Sequence, residues 1–233
     1  MNVLVMRPQR DAERTARRLM DLGHRAVVAP VTRIVATQAA IPAGDFDGVI
    51  ATSSHAVEMA ANDPGFAHLK EKPIHVVGTR SAALARVAGF AAGLNAPDAQ
   101  ALATAIIRDL PRGTSLLYLT GRDRKPGLEI ALPIAGIRLA TAVVYEAREA
   151  DSLRQAAVLA LRAGTLEAAL HYSRRSAAIA AGLARRAGLA TEFAALRHVC
   201  ISHDCALGLV DIEAGDVRIA SAPTEAMLIE ALG

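Results

Sequence analysis

The sequence predicts an α/β protein of two similar lobes, each a parallel sheet flanked by helices. Three observations support this prediction. The chain opens as strand, helix and strand; a strand that runs through small polar residues into a helix occurs four times; and 52% of the residues are apolar although only 3% are aromatic. A core of small aliphatic side chains suits helices packed closely on a sheet.

The opening unit begins with a buried strand over residues 2–6, continues with a helix over 10–22, and ends with a strand over 25–29. Apolar residues at helical spacing form one face of this helix, which we expect to be buried: Ala12, Ala16, Leu19 and Leu22. Gly23 ends the helix. A strand, a helix and a strand in this order predict two neighbouring parallel strands.

The pattern of strand, small polar turn and helix recurs along the chain. Its copies cover residues 48–58, 74–84, 168–177 and 198–207. The last two copies repeat the arrangement of the first two, which indicates an internal duplication of two lobes.

Further elements lie between these copies. We predict a helix over 99–109, a strand over 115–119, a turn over 120–127 that leads into a helix ending near residue 132, and an extended segment over 137–147.

Two extended segments, 31–37 and 142–149, are predicted to pair as linker strands between the lobes. The lobes are then a discontinuous first one and an inserted second one, covering residues 1–34 plus 148–233 and residues 38–142. A division into two sequential lobes near residue 145 remains an open alternative.

Composition limits the partners that fit this chain. The formal net charge is only +3, and the scarcity of aromatic residues leaves no stacking platform for bases, so we expect no nucleic acid partner. The start of the chain lacks the features of a signal peptide, and no segment reaches the roughly 20 apolar residues of a membrane span. We expect a cytoplasmic monomer that contacts no membrane and binds an anionic small molecule.

Hydroxyl-bearing residues occupy the predicted helix starts: Thr52, Ser53, Ser54, Thr79, Ser81, Ser173, Ser176 and Ser202. An N-cap is the ordinary role of each one. Their repetition indicates more, because helix N-termini favour anions and because these turns lie beyond the carboxyl ends of parallel strands. Two facing lobes would line an anion-binding cleft with them.

Arginines accompany these turns. Arg7, Arg80, Arg122 and Arg174 stand at strand ends or helix starts, where their forked guanidinium groups suit carboxylates or phosphates. We predict that they bind the ligand together with the hydroxyl groups. Many donors without one dominant charge fit a large, flexible ligand that carries several carboxylates.

Other kinds of site are poorly supported. The chain has no Gly-rich dinucleotide loop, no Walker-type loop and no Gly-x-Ser-x-Gly elbow. The nearest approach to a metal site is the group of His198, Cys200, His203 and Cys205, a set that zinc accepts in principle. The strand and the helix after it would point the two pairs in different directions, so we predict no metal and no cofactor.

Seven short motifs follow one another along the chain. They are VLVMRP at 3–8, VIATSSHAV at 49–57, VVGTRSA at 76–82, LTGR at 119–122, VVYE at 143–146, YSRRSA at 172–177 and PTEAM at 223–227. In this order and at this spacing, the motifs resemble those of the uroporphyrinogen-III synthase family over nearly the whole chain.

The resemblance implies a two-lobed fold with a two-stranded linker and a cofactor-independent lyase of haem biosynthesis. The implied substrate is linear hydroxymethylbilane, a polycarboxylate that is closed to uroporphyrinogen III with loss of water and inversion of ring D. Tyr145 matches the family's tyrosine and would donate a proton to the departing hydroxyl, since a phenol with a pKa of about 10 is protonated at neutral pH. Tyr145 could instead simply pack against the linker.

One turn departs from the family's pattern. Where relatives have a turn similar to Gly-Pro-Thr-Thr-Ala, this chain has Ser202, His203, Asp204, Cys205 and Ala206. Asp204 adds negative charge where carboxylates should bind, and a protonated His203 would offset it, so we include His203 among the binding residues. A non-catalytic protein that binds tetrapyrroles or polyanions, and a sensor of a small phosphorylated ligand, stay open as alternatives.

Overall fold

Two units, each with its own sheet, make up the structure, a computed structural model that describes residues 1–38 and 40–233. Unit 1 holds Met1–Arg33 and Arg148–Gly233, and unit 2 holds Ile34–Ala147. Ala39, which belongs to the predicted inserted lobe, lies outside the described residues. Unit 1 is therefore formed from both ends of the chain.

The strands, in chain order, are β1 (Asn2–Val5), β2 (Arg25–Val28), β3 (Thr32–Ala36), β4 (Gly48–Ala51), β5 (Pro73–Val77), β6 (Ala91–Ala96), β7 (Ser115–Gly121), β8 (Arg138–Glu149), β9 (Ala168–His171), β10 (Arg197–Cys200) and β11 (Asp216–Ile219). The α-helices are α1 (Gln9–Asp21), α2 (Ser54–Asn62), α3 (Gly78–Val87), α4 (Ala99–Asp109), α5 (Gly127–Ile134), α6 (Gln155–Arg162), α7 (Arg174–Arg186), α8 (Ala190–Ala194), α9 (His203–Ala206) and α10 (Glu225–Glu230). Short 3₁₀ helices cover Pro64–Leu69 and Leu207–Ile212.

The sheet of unit 1 has the strand order β11-β10-β9-β1-β2, and every pair of neighbours is parallel. This confirms the parallel β1–β2 pair that the opening of the sequence predicts. Because all five strands run the same way, the turns after β1, β9 and β10 lie at one edge of the sheet, the edge at which open α/β sheets bind ligands.

Both faces of this sheet are buried. Leu4 belongs to an apolar cluster with residues of α6, α7 and α8, whereas its neighbours Val3 and Val5 belong to a second cluster with residues of α1 and α10. Successive side chains of a strand point to opposite faces, so a strand must be apolar where it is covered on both sides, as β1 is over Val3, Leu4 and Val5.

The buried face of α1 differs from the predicted one at its end. Ala12 and Leu19 are buried as expected, but Leu22 is 63% exposed. The helix ends at Asp21, so Leu22 lies just beyond it. Gly23, with a φ of 79°, then turns the chain, and the Leu22 side chain stays away from the sheet. The predicted buried face of the helix was therefore wrong at Leu22, its last residue.

The sheet of unit 2 has the order β3-β8-β7-β4-β5-β6, with parallel pairs from β8 to β6. Helices α2 and α3 cover one face of this sheet and α4 and α5 cover the other. The turns after β4, β5 and β7 lie at its carboxyl edge, which gives unit 2 the same relation of strands to turns as unit 1.

Strand β3 pairs with β8 at one end of this sheet. The Thr37 amide donates to the Val144 carbonyl oxygen (3.1 Å) and the Ala150 amide to that of Val31 (2.9 Å). Residue numbers rise along one strand as they fall along the other, which is the antiparallel arrangement.

Strand β6 is an element that the sequence pattern does not predict. Its glycine and asparagine, Gly93 and Asn95, are poor strand formers. Gly93 is required by a close approach to β5, since a Cβ atom there would lie 2.5 Å from the carbonyl oxygen of Ile74. The local composition of β6 thus follows from tertiary contact rather than from strand propensity.

The longest of these helices, α1 and α7, have 13 residues each, a length of about 20 Å. Within residues 1–38 and 40–233, no helix is both long enough and apolar enough to cross a membrane.

Candidate functional site

The residues predicted to form the site divide between the two units. Unit 1 contains Arg7, Ser173, Arg174, Ser202 and His203. Unit 2 contains Thr52, Ser53, Ser54, Thr79, Arg80, Ser81, Arg122 and Tyr145. Most members of each set follow the carboxyl end of a parallel strand, and Tyr145 lies on β8 itself.

In unit 1, two serines cap the helices that follow neighbouring strands. The Ser176 amide donates to Oγ of Ser173 at the start of α7 (3.2 Å), and the Cys205 amide donates to Oγ of Ser202 at the start of α9 (3.3 Å). Each hydroxyl satisfies one amide of the first turn and leaves others available to a ligand. The predicted hydroxyl-bearing helix starts are therefore present in this unit.

In unit 2, the turn after β4 has the same design. The His55 amide donates to Oγ of Ser53 at the start of α2 (3.2 Å). Thr52 Oγ1 lies 2.9 Å from the hydroxyl of Tyr118, a buried residue of β7. Thr52, Ser53 and Ser54 are all half-buried, so the turn is fixed by the sheet below it and still reaches the surface.

The turn after β5 places its three predicted residues differently. Thr79 is exposed and Arg80 is half-buried, but Ser81 is only 4% exposed. Helix α3 begins at Gly78, whose φ of 80° is a left-handed conformation that favours glycine, and it has no side-chain cap. The fourth residue of the helix then points into the protein, so Ser81 does not contribute to the exposed surface of this turn.

Arg7 belongs to a cluster inside unit 1 that the sequence pattern does not predict. Its Nη1 donates to Oε1 of Glu225 (2.7 Å), and its guanidinium carbon lies 3.9 Å from the centre of the Tyr172 ring. Thr15 and Arg18 also donate to the Glu225 carboxylate. The predicted role of Arg7 in ligand binding therefore has to compete with an existing carboxylate partner.

Charges and burial set the protonation of this cluster. Burial acts to raise the pKa of Glu225, but the Thr15 hydroxyl and the Arg7 and Arg18 guanidinium groups outweigh it and hold that pKa below the ordinary value. Burial raises the pKa of the Tyr172 hydroxyl, which donates to Glu225 (3.1 Å), to about 12. At neutral pH the cluster is an ionised carboxylate surrounded by donors.

Two other predicted arginines are exposed and paired with acidic residues. Arg122, 65% exposed at the end of β7, donates from Nε to Oε2 of Glu146 (2.6 Å). Arg174, the first residue of α7, lies 3.8 Å from a carboxylate oxygen of Asp204, and His203 is exposed beside Asp204. Exposed pairs of this kind are weak, so both guanidinium groups can exchange their partner for a ligand carboxylate.

Tyr145 is half-buried on β8 and its ring is held from two sides. It lies across Gly121 of β7, where an added Cβ atom would stand 2.6 Å from Cζ of the tyrosine. The His55 ring, from the start of α2, lies with its centre 5.7 Å from that of the tyrosine. The phenol is therefore placed beside the turn that carries Thr52, Ser53 and Ser54.

The histidine and cysteine group noted in the sequence does not assemble as a set. His198 and Cys200 are buried on β10, with Cys205 in a thiol hydrogen bond to Cys200, whereas His203 is exposed. His198 pairs instead with His171, a residue that the sequence pattern does not single out (Nδ1 to Nε2, 2.9 Å). Among the described residues, no group of three metal-binding side chains is placed to hold an ion.

Fold and site together define a class of α/β protein: parallel sheets whose carboxyl edges carry hydroxyl-capped helix starts and arginines, an arrangement suited to anionic ligands. Within that class, the family model described as uroporphyrinogen-III synthase HemD matches residues 13–230, and the chain belongs to this family. Family membership makes it an enzyme of haem biosynthesis. A comparison with individual curated proteins gives no match.

Solved structures show the same fold. The crystal structure of uroporphyrinogen-III synthetase from Helicobacter pylori 26695 is similar with a TM-score of 0.66 at 18% sequence identity, over 98% of this chain and 96% of that one. A mutant uroporphyrinogen III synthase from the extremely thermophilic bacterium Thermus thermophilus is similar with a TM-score of 0.51 at 16% identity, over the same shares. At these identities the likeness is one of fold.

Proposed function

We propose that this protein is a cofactor-independent lyase that closes linear hydroxymethylbilane to uroporphyrinogen III, with loss of water and inversion of ring D. The observation that carries the proposal is the match of the uroporphyrinogen-III synthase family to residues 13–230. The geometry supports it, because both units present donors suited to the carboxylates of that substrate.

Binding uses the helix starts and the exposed arginines. Hydroxymethylbilane carries eight carboxylates, and the starts of α2 and α7 each add a favourable electrostatic contribution of about 0.3–1 kcal/mol to a nearby anion. Arg122 and Arg174, both exposed, supply mobile positive charge. Holding a flexible chain with its two ends close together provides most of what an intramolecular ring closure requires.

Tyr145 supplies the proton in the first step of the proposed reaction. Its phenol donates a proton to the hydroxyl on ring A, the carbon–oxygen bond breaks, and water leaves with formation of a cationic azafulvene. Ring D attacks this carbon to give a spiro intermediate, which fragments and recombines with ring D inverted. Loss of a proton from the newly closed ring restores the phenol, so the net change is the release of one water molecule.

The test uses freshly generated hydroxymethylbilane and separates the isomers of uroporphyrin after oxidation. We expect isomer III to be the main product with the protein present and isomer I to form in the matched reaction without protein. Isomer I alone in both reactions would reject the lyase activity.

A further inference from the structure

Two buried histidines in unit 1 form a hydrogen-bonded chain that fixes where their protons lie. His198 Nε2 is 2.9 Å from the carbonyl oxygen of Phe193, and a carbonyl oxygen only accepts, so Nε2 carries the proton. Burial lowers the pKa of His198, which leaves the ring neutral at pH 7 and its Nδ1 an acceptor. His171 Nε2, 2.9 Å from that Nδ1, must therefore be the donor.

The hydrogen-bonded chain of the two histidines ends on Nδ1 of His171, which can only accept. Burial, reinforced by His198, holds the pKa of His171 well below its ordinary value, so with the proton on Nε2 its Nδ1 has a free lone pair. Nδ1 has no hydrogen-bond partner among the described residues. Within the same residues, every side-chain nitrogen or oxygen that is fully shut off from solvent has a partner. The Nδ1 atom must therefore reach an accessible surface.

His171, although 2% exposed, lines a small cavity of about 160 Å³ at the carboxyl edge of the unit 1 sheet. Its lining includes Met6, Leu170 and Asp11, whose carboxylate pairs with Arg14 (3.0 Å), and also Arg7, Pro8 and Tyr172. A histidine lone pair that faces such a cavity can only accept, so it favours a ligand group with a hydrogen to donate. Ser173 and Ser176, at the start of α7, and the cationic Arg7 form the part of the lining that favours negative charge.

We infer that Nδ1 of His171 opens onto this cavity and that the cavity binds one pyrrole ring of the substrate, with the ring N–H donating to that Nδ1 and an acid side chain of the ring directed to the start of α7. The choice of a pyrrole rests on the proposed function. The volume agrees with it, because 160 Å³ is about five times the roughly 30 Å³ share of one liquid water, enough for a ring of five heavy atoms. His171 is then a binding residue, and His198 is a positioning residue that holds its tautomer.

The test compares two ligands of the same size and charge. One is a monopyrrole that carries one acetate and one propionate side chain; the other is the furan with the same side chains, in which an oxygen replaces the N–H. Because one hydrogen bond is lost and two acceptors then face each other, we expect the pyrrole to bind about tenfold more tightly or better. Equal affinity of the two ligands would overturn the inference.

Nitrogen NMR of ¹⁵N-histidine-labelled protein locates the contact. We expect the Nδ1 resonance of His171 to move when the pyrrole is added and to stay in place when the furan is added. His75 is the matched internal reference, because its buried Nδ1 already accepts a hydrogen bond from the Leu94 amide (3.1 Å). An unmoved His171 resonance, or an equal shift caused by acetate alone, would overturn the inference.

Variants at His198 test the positioning role without altering any atom of the cavity. His198→Leu leaves the tautomer of His171 unfixed and is expected to remove most of the preference for pyrrole over furan. His198→Gln, whose Oε1 accepts from His171 Nε2, is expected to restore it. If the two variants show the same preference for pyrrole over furan, His198 does not position the His171 tautomer.

The results also distinguish this inference from the proposed function. Formation of isomer III without a shift of the His171 resonance would reject only the inference. A shift of that resonance in a protein that yields only isomer I would reject only the proposed function.

Discussion

The ring of Tyr145 lies across Gly121, its neighbour on the adjacent strand, so closely that a Cβ atom at Gly121 would stand 2.6 Å from Cζ and 2.8 Å from the hydroxyl oxygen. The register of β7 and β8 shifts at this point, between Thr120 and Gly121. A glycine at the end of β7 thus provides the space in which the phenol is placed.

Gly121→Ala is expected to displace the Tyr145 ring. The added methyl group has no room, and overpacking of this kind costs about 1–3 kcal/mol of unfolding free energy. We expect a lower midpoint of thermal unfolding and at least a tenfold loss in the rate of isomer III formation. Gly127→Ala is the matched control, because its Cβ would meet no atom within 4 Å. Full activity of Gly121→Ala would show that the ring position does not matter.

Tyr145→Phe separates the phenol hydroxyl from the ring. The ring keeps its packing on Gly121 and against His55, so thermal unfolding should change little. A positioned general acid contributes about 10²–10⁴-fold, and we expect the rate of isomer III formation to fall by about a hundredfold or more. The rate is measured with freshly generated hydroxymethylbilane, and an unchanged rate would remove Tyr145 from the mechanism.

The sequence predicts local features of this site well and distant ones poorly. The caps Ser53, Ser173 and Ser202 form as expected, because a cap depends on residues within one turn of the helix. The partner of Arg7 could not be predicted, since Glu225 lies 218 positions away and reaches it only through the folded sheet. The burial of Ser81 likewise depends on the rotation of α3 on the sheet.

The histidine pair shows the same limit at a finer scale. His171 and His198 lie 27 residues apart, and no local pattern connects them. They are out of register on neighbouring strands, as Cys200 rather than His198 is the direct partner of His171. A diagonal contact of this kind follows from the strand order of the sheet, which the sequence alone leaves undetermined.

Glu225→Gln is expected to destabilise unit 1 at neutral pH. It replaces an ionised carboxylate that accepts from Arg7, Thr15, Arg18 and Tyr172, and the loss of charged hydrogen bonds costs about 1–3 kcal/mol. Unfolding in urea, followed for both proteins, measures the difference. The control is Asp109→Asn, which removes the exposed partner of Arg108 and should leave the midpoint unchanged.

The effect of Glu225→Gln should depend on pH in a defined direction. The folded-state pKa of Glu225 is depressed, so its contribution is fully present above the unfolded value of about 4.3 and is lost as the pH falls from there through the folded pKa. We expect the free-energy difference between the two proteins to be constant from about pH 7 to about pH 5 and to shrink below about pH 4. A difference that grew on acidification would contradict the assigned charge state.

Asp204→Asn is expected to improve substrate binding. Asp204 is exposed at the start of α9, 3.8 Å from Arg174, and it both occupies that guanidinium and repels carboxylates. Exposed charges act weakly and are screened by salt, so we expect KM for hydroxymethylbilane to fall about two- to fivefold at low ionic strength and the gain to shrink at about 0.5 M salt.

The matched control for this charge change is Asp21→Asn. Asp21 is also exposed in unit 1, but it ends α1 and therefore lies at the amino edge of the parallel sheet, opposite the edge that carries Ser173 and Ser202. Its removal changes the net charge equally and should leave KM nearly unchanged. Equal effects of the two variants would mean that KM follows total charge, whereas an unchanged KM in Asp204→Asn would place the bound carboxylates away from the start of α9.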